Sequence, residues 1–234
     1  MQKRSKPSTR FLPKDLVILH EDKDILVVSK PPGLLTISTE TEKSRTAYYM
    51  LTDYVRKGNA KSRKRIFIVH RLDRDTSGVL IFAKSEEAKR TLQSQWKDAK
   101  KTYLAVVHGK CEKCSDIIST YLAENKSHDV YSTTSSAKGK LARTAYTVLK
   151  ETKDFTLLEI DLLTGRKNQI RVHLADIGHP IVGDRKYGKG GKAHKRLALH
   201  ARSISFGHPY SGEQLTFKAK VPEYFNTLVG TSLF

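Results

Sequence analysis

His70-Arg71-Leu72-Asp73-Arg74-Asp75-Thr76-Ser77-Gly78, set between Ile66-Phe67-Ile68-Val69 and Val79-Leu80-Ile81-Phe82, is the stretch on which the reading of this chain turns. Short runs of β-branched and aromatic residues on both sides of a polar, glycine-closed segment predict strand, loop, strand. The loop packs two carboxylates, two arginines and a histidine into nine residues. Part of this is turn chemistry, because Asp, Ser, Thr and Gly would also suit a solvated hairpin tip. The arginines beside the carboxylates favour a chemical role. Cationic neighbours keep a carboxylate ionised and in place, as a nucleophile must be, and loops between rigid strands are where such groups tend to sit.

Outward from that loop, strands are expected at residues 16–20 and 25–29, joined by Glu21-Asp22-Lys23-Asp24. Residues 36–45 read as a loop, 47–55 as a short helix, and 56–65 as a basic insert poor in apolar residues. Ser85 caps a helix whose first turn carries Glu86 and Glu87, where acids suit the dipole. Ala88, Leu92, Trp96 and Ala99 form one stripe on it, which makes Trp96 a packing residue. Further strands are expected at 102–107, 144–149, 156–162, 198–206 and 214–220. A helix over 167–177 is stopped by Gly178, and a short helix starts at Pro222. Hairpins with few intervening helices predict an α+β fold with a mixed, mostly antiparallel sheet and flanking helices. Residues 1–14 read as a basic arm and 15–234 as one catalytic domain.

The 234 residues suffice for a proper core, and the 38% of hydrophobic residues are grouped in runs. Net charge is +19, from 43 Lys and Arg against 24 Asp and Glu. That imbalance favours a polyanionic partner. The charge is laid in patches: no acid lies between Asp53 and Asp73, nor between Asp184 and Glu213. Cys111 and Cys114 form a single CxxC, too few ligands for a structural zinc unless His108 and His128 joined them, so a reduced pair in a turn is expected. No apolar stretch approaches the ~20 residues of a membrane span. The segment Met1-Gln2-Lys3-Arg4-Ser5 has no apolar run after it, so a cytoplasmic location is expected.

The catalytic-loop stretch resembles the RluA-type pseudouridine synthases, which carry HRLDxxTSG around an aspartate. Other segments resemble the same family in the same order. They are Lys30-Pro31-Pro32-Gly33, the strand from Lys101 to Gly109 with Tyr103, the run Thr164-Gly165-Arg166-Lys167-Asn168-Gln169-Ile170-Arg171, Gly178 to Asp184, and Leu199-His200-Ala201. The resemblance implies a long mixed sheet with a central RNA cleft, and uridine-to-pseudouridine isomerisation in ribosomal or transfer RNA. It further implies a monomer, with no metal and no nucleotide or other cofactor. Many relatives carry a small RNA-binding domain ahead of the catalytic one, and the residues before Leu16 are expected to leave no room for it.

That reaction breaks the N-glycosidic bond, turns the base and rejoins it through carbon. The sugar becomes electron-poor, as in glycoside hydrolysis, where a carboxylate attacks or stabilises it. The resemblance gives this part to Asp73, although on chemistry alone Asp75 is an alternative. It pairs Asp73 with Arg171, lets Arg71 fill the space left by a flipped uridine, and packs Tyr103 on the uracil. The resemblance also implies that Tyr103 assists removal of the last proton. Substrate binding is expected from Arg71, His70, Thr76, Arg166, Gln169 and Ile170, His70 without a proton-transfer role. Lys167-Asn168 stands where relatives often have Thr-His, and Asn matches a neutral histidine's hydrogen bond but not its charge.

Two rival readings differ in kind. A haloacid-dehalogenase-type phosphatase would need DxDxT, but Thr76 directly follows Asp75, one position early. An RNA-binding module without catalysis would explain the charge equally well, yet has no use for the Asp, Tyr and Arg set.

Overall fold

The computed structural model describes Leu12, residues 15–188 and residues 194–230, so the arm expected over 1–14 lies almost wholly outside the described residues. Eleven strands join in one sheet: β1 (Val17–Glu21), β2 (Ile25–Lys30), β3 (Phe67–Ile68), β4 (Ser77–Ala83), β5 (Lys100–His108), β6 (Ser115–Glu124), β7 (Val130–Thr133), β8 (Lys140–Glu151), β9 (Phe155–Leu162), β10 (Leu199–Gly207) and β11 (Gln214–Lys218). Their order is β1-β2-β4-β10-β5-β9-β8-β6-β7, with β11 on β10 and β3 on β4. Helices α1 (Ala47–Arg56), α2 (Glu86–Ser94), α3 (Gln169–Asp176) and α4 (Glu223–Val229) flank it. The expected α+β class with a mixed, mostly antiparallel sheet is what forms.

Strand β4 organises the fold. All seven of its residues are buried, as a strand covered on both faces requires. Val79, Ile81 and Ala83 pack with Ala88 and Leu92 of α2, while Leu80 and Phe82 pack with Ala47, Leu51 and Tyr54 of α1. Removing Leu92 to Ala would cost about 2–5 kcal/mol at such a site. The sheet's one parallel pairing joins β4 to β10 at Ser77↔His200 and Gly78↔Ala201. A Cβ on Gly78, whose φ is +117°, would come within 2.1 Å of the Ala201 carbonyl oxygen, so only glycine lets the two central strands approach.

Three local expectations need correction, and two strands had none. Helix α2 ends at Ser94, so Trp96 and Ala99 are not on its stripe: Gln95 turns aside to donate to the Gly207 carbonyl at 2.7 Å, and Trp96 swings toward His70. Helix α3 begins two residues later than expected because Asn168 sits at φ +53°, in the left-handed region that Asn tolerates. Strand β3 keeps only two residues in the ladder. Strands β6 and β7 carry no strong sequence signal: β6 buries only Ile118, Leu122 and Ala123 among exposed and half-buried residues, and β7 is a four-residue edge.

Candidate active site

The catalytic-loop stretch becomes the segment from β3 into β4, and its backbone is pinned on both sides of Asp73. Before it, the Thr36 hydroxyl donates to the Leu72 carbonyl at 2.8 Å and accepts the Leu72 N–H at 3.2 Å. After it, the Arg74 carbonyl accepts from the Gly33 N–H at 2.9 Å and from Lys30 Nζ at 3.0 Å. Lys30 is buried, and its other two ammonium protons go to the Pro31 and Leu34 carbonyls. Burial lowers this ammonium to about 7, opposed by the Asp75 and Asp73 carboxylates. The Thr76 N–H closes the turn onto the Asp73 carbonyl at 3.2 Å.

Asp73 opens into a cavity of about 320 Å³. Its wall contains all nine residues named from sequence: His70, Arg71, Asp73, Thr76, Tyr103, Arg166, Gln169, Ile170 and Arg171. They come from loops, a strand and helix α3, as far apart as the 98 positions separating Asp73 from Arg171. What each side chain does differs from one to the next.

Arg171 reaches Asp73 with one arm, Nη1 to Oδ2 at 3.5 Å. Its firmer partner is Asp184, taken in a two-point grip at 2.7 Å from Nε and 2.8 Å from Nη2. The Asp184 side chain is only 1% exposed. Burial alone would raise its carboxyl, but Arg171 and the N–H groups of Tyr187 and Lys186 hold it below its ordinary value. Asn168 Oδ1 accepts from Arg171 Nη1 at 3.0 Å, while its Nδ2 donates to the Tyr187 hydroxyl at 3.1 Å. The Tyr187 ring lies 5.0 Å from the guanidinium. The Asn that replaces the family's usual histidine is thus a positioning group for Arg171, reached by a hydrogen bond and needing no charge.

His70 is structural as well as a wall residue. Strand β4 pairs with β10 at one end of an edge and with β3 at the other. Between them the Ile81 N–H donates to His70 Nε2 at 3.1 Å. That bond satisfies a buried amide. The His70 ring packs on Trp96 at 4.6 Å, and burial with nearby Lys101 lowers its pKa to about 3, so it is neutral at working pH. Gln169 is likewise occupied: its Oε1 accepts from the Thr164 hydroxyl and Arg166 N–H, and its Nε2 donates to the Arg143 carbonyl and Thr144 hydroxyl. Its four bonds leave no polar capacity for a ligand. The Arg166 side chain donates to the Leu141 carbonyl at 3.1 Å.

Tyr103 bridges two apolar clusters, and burial followed by the Asp73 charge raises its pKa, so the phenol keeps its proton. Arg71 is exposed on the cavity rim and makes no hydrogen bond or ion pair among the described residues. Cys111 and Cys114 are free thiols. Neither belongs to a group of three potential metal ligands among the described residues; the one such group, Asp22, Asp24 and His208, lies outside the cavity. Lys30, Thr36, Asn168, Asp184 and Tyr187 were not assigned roles from sequence, although three of them sit inside the motifs quoted there.

Fold and site together define a class: a mixed-sheet protein with one carboxylate set opposite an arginine in a basic cleft. Residues 24–176 match the family described as RNA pseudouridylate synthase, and the chain belongs to that family, in its RluA-type branch. It is an isomerase that converts uridine to pseudouridine in RNA. The chain is 38% identical to the "Uncharacterized RNA pseudouridine synthase YlyB" of Bacillus subtilis over 221 residues, covering 93% of this chain and 73% of that one. It is 34% identical to the "Ribosomal large subunit pseudouridine synthase D" of Zymomonas mobilis, covering 89% and 70%. Among solved structures it resembles human RNA pseudouridylate synthase domain containing 4, with a TM-score of 0.75, 24% identity and coverage of 89% and 90%. That last likeness shows the fold.

Proposed function

We propose that the protein isomerises particular uridines in structured ribosomal or transfer RNA, acting as a monomer and flipping the base out to meet Asp73. The observation that carries this reading is the Asp73 carboxylate, fixed through Leu72 and Arg74 and facing Arg171 and Tyr103 across one cavity.

In this reading Asp73 attacks or stabilises C1′ of the flipped nucleotide as its bond to N1 breaks. The base turns, C5 bonds to C1′, the C5 proton leaves and N1 takes one up. No electrons are gained or lost, so the balance needs no redox partner. Arg171 sets a cation 3.5 Å from the Asp73 carboxylate. Tyr103 packs against the uracil; a part as base would require its phenolate, which burial and Asp73 both oppose. Arg71, with no protein partner among the described residues, occupies the gap in the stack. Its planar guanidinium can both stack and hydrogen-bond there.

The test is isomerisation of unmodified large-subunit ribosomal and transfer RNA transcripts, with pseudouridines mapped by position and compared with those lost when the gene is deleted. Agreement on the same uridines supports the reading. Isomerisation confined to unstructured RNA would overturn the structured-substrate part.

A further inference from the structure

A second chamber, of about 490 Å³, adjoins the catalytic cavity through Arg171, the one residue that lines both. Its frame is rigid. On one side Gly33 exchanges two hydrogen bonds with Arg74, N–H to carbonyl at 2.9 Å and carbonyl to Nε at 3.2 Å. On the other, Gly183 (φ +77°) lies so close to the Arg196 carbonyl that an added Cβ would come within 2.0 Å of it.

The charges on that frame are lopsided. Arg171, Arg185, Lys186, Lys195 and Arg196 face it against Asp75 and Asp184. Asp184 is cancelled by Arg171, and Lys186 pairs with Asp129. Arg196 is held over the Tyr224 ring at 5.7 Å. Arg185 and Lys195 are exposed and have no hydrogen bond or ion pair among the described residues. Three cations therefore remain against Asp75 alone. Among the described residues the lining contains no aromatic side chain, so they offer no platform on which a base could stack. Its volume falls in the range that takes a nucleotide-sized group.

Resting on the reading of the first cavity as the uridine site, we propose that this chamber seats the backbone phosphates adjoining the target uridine, with Arg185, Lys195 and Arg196 as their counterions. A strand whose uridine enters the first cavity must run past Arg171, which brings the neighbouring phosphates to the second. Such contacts fix the register of the strand and carry no sequence information.

A linkage-by-linkage scan tests this. The probe is the tightest-binding uridine-loop hairpin among ribosomal and transfer RNA fragments, prepared as a series with a single neutral methylphosphonate at each position. Binding is followed by fluorescence anisotropy. The wild-type protein loses about tenfold or more in affinity at one or two linkages beside the flipped uridine, the effect of one lost charged hydrogen bond. The double variant Arg185→Ala, Lys195→Ala binds all members more weakly and no longer distinguishes those linkages. Its salt slope flattens by about 0.7–0.9 per contact removed. If the double variant keeps the wild-type linkage pattern, so that the two losses simply add, the proposal is overturned. Lys218→Ala, which removes a cation on β11 outside both cavities, retains the wild-type pattern. If it erases the pattern too, charge anywhere on the surface suffices and the proposal falls. Pseudouridine formation is scored separately, so failure of the uridine-site reading leaves a distinct mark.

Discussion

Around Asp73 nearly every polar group is already committed: Lys30 to three carbonyls, Gln169 to four partners, Arg171 to Asp184, Asn168 and Asp73. In the neighbouring chamber the rigid part is backbone, and Arg185 and Lys195 reach out with no protein partner among the described residues. The difference matches what each region has to hold. A carboxylate that must meet one carbon atom gains from groups fixed in advance. A phosphate chain is met by flexible cations whose pull is strong but weakly directional. Tightness belongs to the chemistry and slack to the strand.

The comparison breaks most visibly at Asp73. Asp73→Asn keeps shape and removes charge, so isomerisation should fall about a thousandfold or more, to the level left by binding alone. RNA affinity and unfolding midpoint should stay close to wild type. Quantifying pseudouridine in a defined transcript checks it; an Asp75→Asn variant that is the inactive one would transfer the role to Asp75.

Next in size is Asp184→Asn, which leaves Arg171 without its firm partner. An unpaired buried charge costs about 3–5 kcal/mol, so denaturant unfolding should show a loss of that order, together with reduced activity as Arg171 drifts from Asp73. Acid dependence sharpens the point. The Asp184 carboxyl is held below its ordinary value by Arg171, so its contribution is whole above about pH 4. That contribution is lost as pH falls through the lowered value. The wild type should lose stability there and the variant should lose less. Identical acid curves would show that the pair does not govern acid stability.

His70→Ala should be milder. It strips the Ile81 amide of its acceptor and leaves a gap beside Trp96, for about 1–3 kcal/mol of stability. Because His70 titrates near 3, the pH–rate profile of the wild type should carry no step from it between pH 5 and 8. Imidazole resonances followed by NMR would reveal one if it existed.

What could be read from sequence divides along the same line as the two cavities. Strand β4 was legible because its buried centre, Val79-Leu80-Ile81-Phe82, is an unbroken apolar run, and the nine cavity residues lie in short contiguous motifs. The supporting bonds are invisible locally. Thr36 meets Leu72 across 36 positions and Lys30 meets Arg74 across 44, and no periodicity links such pairs. Trp96 packs against the same cluster as Ala88, Leu92 and Ala99, as expected, but from beyond the end of α2 rather than from a stripe on it. Strand β7 escaped because a short edge strand needs few apolar residues, and its neighbour β6 because its three buried residues do not alternate regularly. The late start of α3 rests on one backbone angle at Asn168 that composition does not announce.

The smallest expected effect tests slack inside the tight cavity. Arg71 is the exposed residue of its wall that has no partner among the described residues, so on the proposed reading it should matter only where a uridine must be drawn out of a stack. Extrusion costs a few kcal/mol in a folded stem and less in a strand already open. Arg71→Ala should therefore slow single-turnover isomerisation of a folded stem-loop by about tenfold more than that of a non-folding oligonucleotide of similar sequence, a difference of about 1.4 kcal/mol. Wild type and variant are compared on both RNAs at saturating protein, so that weaker binding does not enter. Equal fractional losses would place Arg71 with the committed groups, supporting Asp73 itself, and the gap-filling role would pass to another residue of the rim.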